Sequence, residues 1–157
     1  MKIKLSKLAG LLQGFNLVNN LSGFKFAYGI AKNRKIVEEE LKILSEVITP
    51  SKEFTEYDKQ RVELCKKYAT KDAKGKPVIV NGAFSGLKQN SKFDKEIEEL
   101  RTKFKVALDK RRKEEEDYNK MLEDEIDVNF HMIEAKSIPD NITVGQMQSI
   151  MPVVKDK

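Results

Sequence analysis

Apolar residues recur at helical spacing through most of the chain. Between Gly23 and Ile48 they are three, four or seven residues apart, which predicts one long helix with a single core face. Pro50, which a helix tolerates in its first turn, opens another helix whose apolar face extends from Phe54 to Tyr68. The short link between these two helices predicts an antiparallel αα-hairpin.

The longest run without Gly or Pro extends from Ser91 to Glu125 and predicts a further helix. Ser91 is placed to cap it, and at about 1.5 Å per residue it would be roughly 50 Å long. A core stripe extends from Phe93 to Leu108, stops where every side chain is charged, and resumes at Tyr118. The charged segment therefore requires water or a partner, and it is the candidate interface. Its residues are Lys110, Arg111, Arg112, Lys113, Glu114, Glu115, Glu116 and Asp117.

Basic residues precede acidic ones within this candidate interface. Arg111 with Glu115, and Lys113 with Asp117, are spaced to pair along one helix, although this order of charges is the less favourable one. Two antiparallel copies of the segment would also neutralise both charge blocks across a twofold axis. The segment thus combines a weak internal pairing with a self-complementary pattern.

Alternating apolar and polar residues predict short strands at Met1–Leu5 and Glu125–Glu134. The pair Asn81-Gly82 lies between two apolar runs and predicts a hairpin turn. These strands and the helices combine into a mostly helical α+β fold. It contains the αα-hairpin, one long helix and a small antiparallel sheet that includes a hairpin near residues 77–88.

The length of 157 residues predicts a single domain over residues 1–157, with a frayed end from about residue 153. Ser6 is placed to cap the first helix, and Thr143 with Gln146 predicts a capping box for a last short one.

The net charge of +5 is segregated along the chain. Residues 1–35 contain seven basic side chains and no acid, whereas residues 114–140 contain ten acids and two lysines. Such segregation is compatible with self-complementary assembly, with pairing inside one fold, or with a basic surface for nucleic acid. The candidate nucleic-acid contacts surround the predicted hairpin. They are Lys66, Lys67, Lys71, Lys74, Lys76 and Lys88.

Few residues have the chemistry of a catalytic or metal site. Cys65 lies on an apolar helix face and is predicted to be a small buried hydrophobe, and His131 is predicted to be an ordinary exposed histidine. A single Cys and a single His leave no Cys/His zinc cluster, and no stretch approaches the roughly 20 apolar residues of a membrane span. We therefore predict no catalytic residue, no metal, no cofactor and no membrane span.

Short stretches scattered over most of the chain carry a resemblance to a known family. They are Phe26–Asn33 (FAYGIAKN), Pro50–Phe54 with Tyr57 and Arg61, Tyr68–Asp72 with Gly75, and Ile138-Pro139 with Ile142-Thr143. On these residues the chain resembles an uncharacterised family of small tailed-bacteriophage proteins, whose function is unknown. The resemblance implies a phage or prophage gene and a product made in the bacterial cytoplasm or built into the virion. It implies no site residues.

The leading hypothesis is a non-enzymatic phage accessory or assembly protein that acts through a helical surface and self-associates, or binds another phage or host protein. A second hypothesis is nucleic-acid binding through the basic N-terminal region and the lysine-rich region 66–92. A third is inhibition of a host factor. An enzyme is the least favoured class, because 25 acidic residues make chance carboxylate pairs inevitable.

Overall fold

The computed structural model describes residues 1–87 and 90–155 and is 63% helical over them, which confirms the predicted mostly helical α+β fold. The helices are α1 (Leu8–Leu17), α2 (Phe24–Val47), α3 (Lys52–Tyr68), α4 (Ser91–Lys103), α5 (Lys105–Met121) and α6 (Val144–Ile150). The strands are β1 (Lys2–Lys4), β2 (Ile79–Val80), β3 (Ala83–Phe84), β4 (Glu125–Asp127), β5 (Ile133–Glu134) and β6 (Val154–Lys155). Short 3-10 turns occupy Leu5–Lys7, Ala135–Ser137 and Met151–Val153.

The chain divides into two compact units. The terminal unit comprises Met1–Ile48 and the chain from Asp117 onward, and the central unit comprises Thr49–Glu116. Each has its own apolar cluster, with the larger one in the terminal unit. The single domain over residues 1–157 stays a prediction, because it depends on whether the two units unfold together.

The terminal unit is organised around α1, which packs against α2 and α6. Gly14 allows α1 and α6 to approach closely, because a Cβ there would lie 2.4 Å from the carbonyl oxygen of Ser149. Strand β1 pairs antiparallel with β4, and β5 pairs parallel with β6. The side chains with the least exposure are Leu8, Phe15, Val18, Phe26, Asn33, Val37, Ile150 and Val153.

Two predictions about the C-terminal part of this unit were wrong. The single strand predicted at Glu125–Glu134 is divided into β4 and β5, because the alternation that buries Val128 and Phe130 breaks at Ile133, which also turns into the core. The end predicted to fray is packed as far as Lys155, since Val153 is fully buried and β6 pairs with β5. The last two residues of the predicted frayed end, Asp156 and Lys157, lie outside the described residues.

The central unit is an antiparallel pair of α3 and α4, joined by a loop that contains the predicted hairpin. Tyr68 at the end of α3 meets Phe93 at the start of α4, and Tyr57 meets Phe104 at the other end. The predicted turn at Asn81-Gly82 is confirmed, with both residues at positive φ between β2 and β3.

The structure corrects two details of the predicted helices. Within its unit α3 packs against α4, and the antiparallel αα-hairpin predicted for the second and third helices stays a prediction. The long helix is interrupted at Phe104, whose backbone leaves helical geometry where its ring packs on Tyr57, and it ends at Met121. Asn90, rather than Ser91, caps α4.

Of the caps predicted for the first and last helices, one was wrong and the other is confirmed. Ser6 lies inside a 3-10 turn and does not cap α1. The capping box of Thr143 and Gln146 is confirmed at the start of α6.

Candidate interaction surfaces

The candidate interface, residues 110–117, lies in α5, and one of its side chains faces inward. Arg111 is only 14% exposed, and its guanidinium carbon lies 5.5 Å from the centroid of the Phe54 ring. Its Nε donates a hydrogen bond of 2.7 Å to Glu115, which confirms one of the two predicted pairs. The prediction that this charged segment requires water or a partner does not hold at Arg111, because its guanidinium lies on an aromatic ring of the same unit and is attracted to it by a cation–π interaction.

The outward side of the candidate interface is charged and exposed. Lys110 pairs with Glu114 at 3.8 Å, and Arg112 pairs with Asp109 at 3.4 Å. Lys113 and Glu116 are exposed, and over residues 1–87 and 90–155 neither has an ion-pair partner. The predicted pair of Lys113 with Asp117 does not form, because Asp117 is 3.4 Å from Lys120 one turn further along.

Two of the candidate nucleic-acid lysines are already paired with carboxylates. Lys66 contacts Glu63 at 2.8 Å, and Lys67 contacts Glu96 at 2.8 Å. The hydrogen bond from Lys67, with a second one from Tyr68, lowers the pKa of Glu96 below its ordinary value. The same pairing raises the pKa of Lys67. Lys66 is thus paired within α3 and Lys67 is paired across to α4, so both ammonium groups are less available to a phosphate.

The remaining candidate lysines lie in the loop between α3 and β2, except Lys88, which lies outside the described residues. The Asp72 carboxylate accepts hydrogen bonds from the backbone N–H groups of Lys74 and Lys76, at 2.8 and 2.9 Å. The Lys71 ammonium contacts the carbonyl oxygen of Lys66. The loop is thus shaped around an acid, and nucleic-acid binding here stays a prediction.

A groove of about 640 Å³ lies on the central unit between α3 and α4. Acids and bases alternate around it, among them Glu56, Lys59, Glu99 and Lys103, with Leu64 on its floor. This mixed lining favours no single class of ligand.

A second surface, which the sequence analysis missed, lies at the start of α2. Phe24 is 86% exposed and Tyr28 is 52% exposed, and their rings are stacked with centroids 6.4 Å apart and planes 14° apart. The ring of His131 meets Tyr28 edge-on at 5.7 Å. The spacing of these two aromatic residues could have revealed the surface in the sequence, because residues 24 and 28 are one helical turn apart and fall opposite the core positions Phe26 and Ile30.

Two residues of α2 fix the chain segment that carries His131. Asn33 is fully buried, and its amide donates to the His131 carbonyl at 2.8 Å and accepts from the His131 N–H at 2.7 Å. Gly29 permits the close approach, because a Cβ there would lie 2.8 Å from Cγ1 of Ile133. As a result His131 is half-buried against Tyr28, which corrects the prediction of an ordinary exposed histidine.

Lysines surround these rings. Lys25 and Lys155 line a depression of about 320 Å³ with Phe24, Tyr28 and His131, and Lys136 borders an adjacent one next to Phe24. We call these residues the aromatic–basic surface. They are Phe24, Lys25, Tyr28, His131, Lys136 and Lys155.

One acid lies at the edge of the aromatic–basic surface. Glu134 lies 3.0 Å from Lys136 and 3.9 Å from Lys155, and hydrogen bonding to Lys136 lowers the pKa of this carboxyl. Its charge is therefore offset by two lysines of the same surface.

Other chemistry is sparse in the described part of the chain. Cys65 is buried, as predicted. Across residues 1–87 and 90–155, no three side chains of His, Cys, Asp or Glu cluster as a metal site requires. None of the helices described has the length and apolar character that crossing a membrane requires. Comparisons with protein-family models, with curated proteins and with solved structures each found no match.

Proposed function

We propose that this chain is a non-enzymatic phage accessory or assembly protein that self-associates through the outward side of α5. The observation that carries the proposal is the exposed pair of Lys113 and Glu116, which have opposite charges, are one turn apart, and have no ion-pair partner within the described residues. The phage setting rests on the resemblance of the sequence stretches given above. The identity of the genes beside this one tests that setting, since packaging, tail and host-takeover genes each imply a different role.

Self-association about a twofold axis would pair these two residues reciprocally. In an antiparallel contact of two α5 helices, Lys113 of each copy faces Glu116 of the other, so both charges are satisfied at once. Exposed ion pairs contribute only about 0–1 kcal/mol each, so we expect a weak dimer that salt dissociates.

Charge reversal at these two positions tests the contact. Lys113→Glu or Glu116→Lys alone places like charges across the axis, so each should shift the sedimentation profile towards monomer. The double variant restores complementary pairs and should recover the dimer. Lys95→Glu, an equal charge reversal on α4, is the control that should leave the profile unchanged. A strict monomer at high micromolar concentration and low salt would sink the proposal, as would a double variant no better than the singles.

A further inference from the structure

We propose that the aromatic–basic surface binds single-stranded nucleic acid, with Phe24 and Tyr28 stacking against bases and the surrounding lysines contacting phosphates. The proposal goes beyond self-association and uses no residue of α5. It also places nucleic-acid contact away from the lysine-rich loop that the sequence indicated.

The exposed rings are the first reason. A phenylalanine that is 86% exposed contributes little to the core, and here its ring is stacked with that of Tyr28, which the His131 ring meets edge-on. Stacked aromatic side chains are the usual platform for unpaired bases, because every base offers a flat π face. Bases inside a duplex are already stacked on each other, so this platform suits single strands.

The surrounding charge is the second reason. Lys25, Lys136 and Lys155 lie around the rings, and the Lys32 ammonium lies 5.5 Å from the Tyr28 centroid. Glu134 pairs with Lys136 and Lys155 at this surface, so Lys25 and Lys32, which have no ion pair among the described residues, are the lysines most available to phosphates. Such a surface complements a ligand that combines planar rings with regularly spaced negative charges, which is the chemistry of a nucleic-acid strand.

The preorganisation of the surface is the third reason. The two hydrogen bonds of Asn33 fix the backbone of His131, and Gly29 lets this segment lie directly on α2. The backbone of His131, whose ring meets Tyr28, is thereby held in place before any ligand arrives, which lowers the entropy cost of binding.

The test is fluorescence anisotropy with labelled oligothymidylate and oligouridylate, long enough to cover a site of roughly 4–16 nucleotides. Phe24→Ala and Tyr28→Ala should each weaken binding by about 5- to 150-fold, the range expected for loss of one stacked base. Leu17→Ala, another exposed apolar side chain of the terminal unit, is the matched control and should bind as the unchanged protein does. Circular dichroism checks that each variant is folded.

Salt titration separates the two kinds of contact. Lys25→Ala should reduce the slope of log affinity against log salt by about 0.7, the value expected for one phosphate contact on a single strand. Lys95→Ala on α4 should leave the slope unchanged.

Several outcomes would overturn the proposal. They are no binding at low salt, equal binding of a duplex, and affinity unaffected by either aromatic substitution. Displacement of the strand by thymidine monophosphate at an equal nucleotide concentration would assign the surface to a mononucleotide instead.

Discussion

At the scale of single residues, Asn33 connects the packing of the terminal unit to its surface chemistry. It is the one polar side chain among the buried residues described, and the nitrogen and the oxygen of its amide both form hydrogen bonds with the backbone of His131. A buried amide is tolerated only when its hydrogen bonds are made, and these two are made to a segment that has no strand partner there. Within the stretch predicted as a strand, Asn33 therefore supplies the backbone hydrogen bonds of His131 that a neighbouring strand would otherwise make.

Replacing Asn33 with Leu should destabilise the protein strongly. Leu has a similar volume but leaves the His131 N–H and carbonyl unpaired, at about 1–3 kcal/mol for each buried group. Urea denaturation measures the change, and Asn16→Leu, at an exposed position of α1, provides the control. If the free energy of unfolding fell by less than about 0.5 kcal/mol, the range of ordinary surface substitutions, water would be supplying the hydrogen bonds that the Asn33 amide makes.

At the scale of elements, α3 and α4 are joined by an apolar cluster and by one polar bridge. Tyr57, Ile97 and Leu100 form the buried part of that cluster. Glu96 on α4 accepts from Lys67 and from the Tyr68 hydroxyl, the latter at 2.6 Å, so that it ties the end of α3 to the start of α4.

This bridge should make the stability of the protein depend on pH in acid. The pKa of Glu96 is lowered in the folded state, chiefly by the hydrogen bond from Lys67, so the unfolded chain binds a proton more readily. The stabilisation is therefore present above the unfolded pKa, near 4.5, and is lost as pH falls through the lower folded pKa.

Glu96→Gln should accordingly flatten the fall in stability as pH drops below about 4.5, as measured by chemical denaturation at each pH. Glu99→Gln is the matched control on the same helix, because Glu99 is exposed and has no ion pair among the described residues. If the two variants gave the same pH profile, the bridge would contribute nothing in solution.

At the scale of the whole molecule, the sequence predicted what is decided locally. The helix α2, the Asn81-Gly82 turn and the capping box at Thr143 each depend on neighbours a few residues away, and each was predicted within a residue or two. The helical interruption at Phe104 was missed, because it occurs where a ring packs on another helix.

The features that could not be predicted depend on residues far apart in the chain. Asn33 and His131 are 98 residues apart, and β5 pairs with the last described strand. The aromatic–basic surface belongs to the same class, since α2 supplies Phe24 and Tyr28 while the chain after residue 130 supplies His131 and two lysines. Periodicity identified the wet side of α2 but carried no information about what that side would meet.

The terminal unit draws its core from both ends of the sequence, and this makes a final prediction possible with a matched pair. Val153, in the end that was expected to fray, is fully buried, whereas Val144 on α6 is 76% exposed. Val153→Ala should lower the free energy of unfolding by about 2 kcal/mol, because it removes the contacts of two buried methyl groups and leaves a cavity. Val144→Ala makes the same chemical change in water and should alter the free energy of unfolding by less than about 0.5 kcal/mol. Denaturant titration of both variants measures the difference, and equal values would mean that the residues after Ile150 do not belong to the folded core.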